Sequence, residues 1–360
     1  MSPTRVAILA GLVALAALRA SAWAAGDHSP QALIEAGHWN RARAAIEPLL
    51  EANPNDPEAL LMMSRVKEVA GDLDTALILV QKALAVSPKS ADCHCQLAIV
   101  YGREAIRASI FRRPGLAGNL RKAAETALKI DPGHVEARRV LIEFYLLAPG
   151  IIGGDKTRAR TLAEELVKIE PAIGDIALAR VAHEERQPAR QEELLLKSCR
   201  ASPPSYESLI TLAEFYSYGP QRKVDLVERY ALEAVKLDPG RITAYRLAAQ
   251  AYAREERWPE LDEILERSGT NVPDDLSPFF SAGRVISQMG KDPARAERYF
   301  REYLTREPEL GAPSHAQAYW RLGLTLEKLS RKDEAVEAVR TAVKLDSGLE
   351  GAKKDLKRLR

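Results

Sequence analysis

Aromatic side chains are scarce in this chain, at 6% of its 360 residues, while alanine is abundant. That combination suits thin helix-on-helix packing. It argues against the two or three separate globular cores that the length would otherwise allow. Cysteine is nearly absent, with Cys93, Cys95 and Cys199 alone. An odd count leaves at least one thiol unpaired. Cys93 and Cys95 stand two apart, so on a helix their side chains diverge and a bridge between them would be strained. His94 lies between them, but C-H-C lacks the ligand spacing of a tetrahedral metal site, so the three are read as small packing residues and no metal is expected.

A long hydrophobic run is also lacking. The longest, Val6–Leu18, has 13 residues, too few to span a bilayer comfortably. It follows a short segment carrying Arg5 and precedes the small-x-small triplet Ala22-Trp23-Ala24, with Ala20-Ser21-Ala22 as a competing cleavage site. This is the pattern of a secretory signal peptide over residues 1–24, and it places the mature chain in the periplasm or outside the cell. No Arg-Arg pair precedes the run and no cysteine follows it directly, so general export without a lipid anchor is expected, and no span remains in the mature chain. Removing the leader takes Arg5 and Arg19 and no acidic residue, so the formal +2 falls to balance, with 50 basic against 50 acidic residues. A general nucleic-acid binder would carry a basic excess, so no nucleic-acid partner is expected.

Catalytic constellations are missing as well. No G-x-S-x-G occurs, His183-Glu184-Glu185 lacks the second histidine of a zinc-protease helix, and the remaining histidines (His28, His38, His94, His134, His315) are scattered. One decoy stands out: Gly150-Ile151-Ile152-Gly153-Gly154-Asp155-Lys156-Thr157 is one residue away from G-x-x-x-x-G-K-[ST]. The second essential glycine is Asp155, whose carboxylate would repel a phosphate, and the preceding Leu141–Leu147 is in helical rather than strand frame. The stretch reads as a connecting loop, and no cofactor is expected.

What the chain does have is a repeat. Tyr319, Leu322 and Leu326 stand three and four apart, on one face of a helix, with Gly323 beside them where a neighbour must come close. Ala335, Val339 and Ala342 form a second stripe after the break at Ser330-Arg331-Lys332. The same frame fits Leu60, Met63, Ser64 and Lys67, then Ala76, Val80, Ala83 and Pro88, and again Tyr245, Ala248, Ala249 and Tyr252. Closing prolines recur at Pro54, Pro88, Pro132, Pro171, Pro203, Pro239, Pro273 and Pro308, at separations of 34, 44, 39, 32, 36, 34 and 35. This resembles the tetratricopeptide repeat, W-x-x-L-G-x-x-Y followed by A-x-x-x-F, a further Ala and Pro.

The resemblance implies an all-α, right-handed superhelical solenoid of about nine antiparallel helix pairs over residues 25–348. Leu349, Ala352, Leu356 and Leu359 form a capping helix over 349–360. Two inserts near 103–120 and 147–157 depart from the repeat, and their apolar content (Ile110-Phe111, Ile151-Ile152) is odd for solvent loops.

In this family the first helix of each repeat lines the concave side, with the fifth, ninth and twelfth or thirteenth positions usually in contact with a bound segment. That carries over here to Arg65, Arg139, Arg180, Arg246 and Arg284, with Tyr218, Phe280 and Trp320 as aromatic contacts. Glu143, Glu214, His183 and Arg254 fall on the same positions. The Lys and Asn set of a carboxylate clamp for chaperone C-termini is absent. The resemblance therefore implies a non-enzymatic scaffold that binds a protein or peptide partner along its groove, in envelope assembly or complex organisation. Two other readings are an accessory subunit of an envelope transport system handling a solute or peptide, and an enzyme built on the two inserts. Intact-mass measurement of the exported protein is expected to show a chain beginning after Ala24 or Ala22. A mature protein that still carries Val6–Leu18 would remove the export reading.

Overall fold

A computed structural model describes residues 29–201, 203–219 and 222–360; the leader lies outside the described residues. Among the described residues there are nineteen α-helices and no strand. They pair in chain order: α1 (Pro30–Ala36) with α2 (Trp39–Ala52), α3 (Pro57–Val69) with α4 (Leu73–Val86), and α5 (Ala91–Arg107) with α6 (Arg113–Ile130). The middle of the array is α7 (Val135–Leu147) with α8 (Lys156–Ile169), α9 (Pro171–Glu184) with α10 (Pro188–Ser198), and α11 (Tyr206–Ser217) with α12 (Val224–Leu237). The last pairs are α13 (Ile242–Arg254) with α14 (Trp258–Asn271), α15 (Ser277–Met289) with α16 (Pro293–Tyr303), and α17 (His315–Lys328) with α18 (Lys332–Leu345), followed by α19 (Glu350–Leu359). This is the expected solenoid of nine pairs.

The helices start and stop for local reasons. Asp56 accepts from the Glu58 and Ala59 N–H groups ahead of Pro57, Ser90 accepts from Cys93 N, and Ser314 forms a reciprocal cap with Gln317. Each satisfies N–H groups that the first helical turn leaves without partners. The turns between repeats reuse one device, an aspartate that follows a helix and accepts from a glycine two residues on: Asp131 from Gly133, Asp238 from Gly240 and Asp346 from Gly348. In the first two the intervening proline has no N–H to continue the helix.

Packing between helices depends on small residues. An added Cβ at Gly323 would lie 2.4 Å from Val339 Cγ2 and 3.0 Å from the Ala335 carbonyl, so α17 and α18 meet nearly backbone to backbone. Gly174 is tighter still: a Cβ there would lie 2.3 Å from the Val167 nitrogen and 2.4 Å from its Cα. Gly174 holds α9 against the last turn of α8, in the preceding repeat, a contact the within-repeat pattern does not announce.

The two inserts differ in form. Residues near 103–120 are largely helical: α5 runs on to Arg107, α6 begins at Arg113, and only a short turn separates them. Pro114 sits in the first turn of α6, where a proline costs nothing, and Gly115 and Gly118 are carried inside the helix. The stretch near 147–157 is a true loop around a single 3₁₀ turn, Gly150–Ile152.

The first helices contact their counterparts in the next repeat, which puts them on the shorter, inner side of the curve. Curvature then brings the first repeat back against later turns of the array. Asn40 N donates to Glu309 Oε1 at 2.7 Å, Asn40 Nδ2 donates to the Pro308 carbonyl at 3.2 Å, and Arg41 pairs with Asp274 at 2.7 Å. Arg241 reaches the Glu35 carbonyl, and Leu310 packs into the first repeat's core beside Leu33, Ile34 and Ile46. The first repeat thus docks on the turns that follow the seventh and eighth, and the superhelix completes one closed turn around its inner face.

Two glycine substitutions separate these effects. Gly174→Ala meets backbone that cannot step aside and is expected to destabilise by about 3 kcal/mol or more. Gly118→Ala, with open space around the new Cβ, is expected to gain about 0.5–1 kcal/mol. Urea unfolding midpoints check both signs.

Candidate functional site

The eight groove residues taken from the sequence meet different fates. Arg65 faces Asp92 at 3.7 Å and Gln31 at 3.5 Å. Arg139 pairs with Glu207 at 2.8 Å, reaching from α7 to α11 across α9, which a side chain can do only on a concave wall. Arg180 bonds Glu143 at 3.0 Å and Glu184 at 2.6 Å, and Arg246 faces Glu214 at 3.8 Å. Partly exposed pairs of this kind contribute about 0–1 kcal/mol each. They largely neutralise the inner wall through the first six repeats.

Phe280 is turned into the core and is only 7% exposed, with ring centroids 5.7 Å from Phe300 and 5.3 Å from Tyr303. Its position on α15 faces α16 rather than a partner. Trp320 is half-buried: the Arg321 guanidinium covers one face at 4.6 Å, Nε1 donates to Asp355 at 2.8 Å, and Gly351 of α19 presses against the ring, where a Cβ would come within 2.4 Å. Its work is to seat the terminal helix. Tyr218 is exposed, at the end of α11. Arg284, alone of the five arginines, faces no carboxylate within ion-pair distance among the described residues.

A larger feature lies where the two inserts meet. The extended end of α5, the start of α6 and the Gly150–Ile152 turn enclose a cleft of about 1220 Å³ that opens on the inner face. Its walls are Ile99, Ile106, Leu120, Val140, Leu147 and Ile176, and the Arg139 and Arg180 ion pairs fence one side. Around its mouth stand Ile151 at 95% exposure and the largely exposed Ile106, Ile110 and Leu147, and Phe111, next in sequence to Ile110, is 91% exposed. A contiguous apolar patch of this kind marks an interaction surface.

The loop carrying Ile151 is stapled in place. Asp155 N donates to the Tyr145 carbonyl at 2.9 Å and Gly154 N to that of Pro149 at 3.1 Å. Gly153 takes a φ of +101°, and a Cβ on Gly154 would sit 1.7 Å from the Ala148 oxygen. The glycines therefore serve a tight loop rather than a phosphate cradle. Asp155 itself caps α8, accepting from Thr157 N and Arg158 N at 3.0 Å each. Its own carboxylate thereby occupies the anion position at that helix start. Lys156 Nζ points away, donating to the Glu184 carbonyl at 3.1 Å.

Among the described residues no three His, Cys, Asp or Glu side chains converge as metal ligands, and no helix is long and apolar enough to cross a membrane. The thiols are unbridged, and burial pushes that of Cys95 up to about 12, with the Glu136 carboxylate adding to the effect. Sequence reasoning recorded the odd apolar content of both inserts but could not bring them into one cleft.

An all-helical solenoid with a concave wall and an apolar cleft defines a class of repeat scaffolds. Two segments, residues 31–91 and 288–350, match the family model of the tetratricopeptide repeat. The chain thus carries tetratricopeptide repeats in these two segments, and repeats of this kind imply a protein-interaction scaffold. Similar solved structures include a thermophilic TPR protein of Thermus thermophilus, 19% identical, covering 57% of this chain and 95% of that one at a TM-score of 0.45. PilF of Pseudomonas aeruginosa is 16% identical, covering 63% and 98% at 0.42. The human IFIT1 dimer with m7Gppp-AAAA is 15% identical, covering 92% and 79% at 0.47. No curated protein matches the chain.

Replacing Asp155 by Ala removes a cap and is expected to cost about 1 kcal/mol, whereas Lys156→Ala is expected to leave the melting temperature nearly unmoved. ATP titration of the unaltered protein is expected to shift neither melting temperature nor fluorescence. A micromolar affinity abolished by Lys156→Ala would restore the nucleotide reading.

Proposed function

We propose that this chain is an exported scaffold of the bacterial envelope that holds a polypeptide partner against its inner face, with the apolar cleft between the inserts as the main anchor. The observation that carries the reading is the set of exposed apolar side chains at the cleft mouth, Ile106, Ile110, Leu147 and above all Ile151. An isolated exposed apolar residue needs no explanation, but here several surround one cleft. One is held out on a loop fixed by its own backbone hydrogen bonds. A fixed apolar anchor loses little conformational entropy when a partner covers it. Export rests on the leader sequence, and the envelope role on export together with the repeat fold.

A photo-crosslinking residue placed at Ile151, with another at Ile78 on α4 as an exposed apolar control, tests this in cells. The Ile151 position is expected to give an adduct with one discrete polypeptide of the envelope fraction, and Ile78 none. Absence of any protein adduct from the cleft, or equal labelling from both positions, would remove the scaffold reading at this site.

A further inference from the structure

The inner wall changes character along its later repeats. Arg139 faces Glu207 and Arg246 faces Glu214, but four other arginines have no ion-pair partner among the described residues, and neighbours among them lie near enough to act on one another's charge. Arg222 precedes α12, Arg254 ends α13, Arg284 is midway along α15 and Arg321 lies on α17. Arg222 and Arg254 line one recess of about 10 Å³, room for a single water, together with Ser217 and Gln250. Gln250 is 3% exposed, and its Nε2 lacks a protein partner. It stands one helical turn before Arg254, so its free donor and the guanidinium address the same recess.

The electrostatics agree with the geometry. Burial, and after it the Arg222 and Arg284 charges, hold Arg254 below the usual arginine range, with Tyr218 opposing. Burial and Arg284 do the same to Arg321, where Asp355 opposes. Asp355 is itself engaged by Arg358 and Trp320. Four cations held near one another without counter-charge are a cost to the free protein, and a bound anion would relieve it.

The spacing suggests what kind of anion. From the aligned residues Arg246, Phe280 and Trp320, the arginines Arg254, Arg284 and Arg321 stand eight, four and one positions on. Adjacent first helices lie about 8–10 Å apart, and each step of three or four residues adds about 5 Å along the axis. The result is a diagonal row with a step of roughly 10 Å, which matches every third residue of a polyproline II segment, whose three-residue turn of about 9 Å keeps those side chains on one face. A nucleic-acid strand fits less well. Its phosphates would next meet Glu214, Glu207 and Glu143 along the wall. Phe280 is buried and Trp320 covered, so Tyr218 is left as a lone exposed ring and not the stacking series that single strands use.

We infer that the inner wall of the sixth to ninth repeats binds an acidic peptide segment. One of its carboxylates sits on Arg222 and Arg254 at the mouth of that recess, and others sit on Arg284 and Arg321. The inference rests on the reading of the chain as a polypeptide-binding scaffold and assigns the chemistry of the bound segment. Paired guanidinium–carboxylate contacts are charge-assisted and directional, which a lysine row would not supply.

The probe is a fluorescein-labelled peptide of about twelve residues with Glu at every third position and Pro between, which favours the polyproline II form. Gln-for-Glu peptide, labelled oligothymidylate and inorganic phosphate are the controls. Binding is expected for the Glu peptide alone, weakening as salt is raised. The double variant Arg254→Gln, Arg284→Gln is expected to lower its affinity about tenfold or more, while its melting temperature holds or rises because like charges have been removed.

Equal binding of the Gln peptide, unchanged affinity in the double variant, or tighter binding of oligothymidylate or phosphate would each overturn the inference. So would a fall in melting temperature of several degrees, which would make the arginines structural. The Ile151 adduct separates this from the scaffold reading. An adduct without acidic-peptide binding removes the inference alone, and loss of both removes both.

Discussion

A helical hairpin cannot bury both of its faces by itself, and everything else in this molecule follows from that constraint. Each pair covers one face with its own second helix and the other with the next pair. The contact is close because small residues allow it: Gly323 against Val339 within a repeat, Gly174 against Val167 between repeats. Tight packing on the first-helix side shortens that side and curves the stack. By the seventh and eighth pairs the curve has returned far enough for Asn40 and Arg41 to meet Glu309 and Asp274. A fold usually left with two open ends here has one end seated on its own later turns.

That closure gives the inner face two distinct regions. The wall of the earlier repeats is cross-linked by its own ion pairs, and its recognition surface is the apolar cleft beside them. The wall of the later repeats is charged and unpaired, with Phe280 committed to the core and Trp320 to seating the terminal helix, while Tyr218 stays exposed. A single extended partner could engage both regions, with an apolar anchor at one and carboxylates at the other. The anchor limits partners by shape, and the arginine row by charge and spacing.

Much of the fold could be read before any coordinates. Prolines in phase near 34 residues, stripes such as Tyr319, Leu322 and Leu326, and the terminal stripe from Leu349 to Leu359 pointed to nine pairs and a cap, as observed. The near-match to a phosphate loop could be set aside because an aspartate replaces a glycine, and the geometry shows why it is there: Asp155 caps α8. Gly174 was silent, because its partner Val167 belongs to the preceding helix. The helical form of the 103–120 insert was also silent, because Pro114 and Gly115 read as breakers unless they fall in a first turn.

The chain's own order therefore determined the local events: where helices start, which face each one buries, how many pairs there are, and that no catalytic set is present as a motif. Only the tertiary structure decided which residues share a surface. Arg139 and Arg284 occupy comparable groove positions, yet Arg139 finds Glu207 two repeats away while Arg284 finds Arg254 and Arg321. Phe280 and Trp320 look like groove aromatics from spacing alone, but a half-turn of helix orientation and the arrival of α19 take both away from solvent. Helical periodicity assigns a residue to a face, and curvature and side-chain reach, which are properties of the assembled array, decide what that face meets.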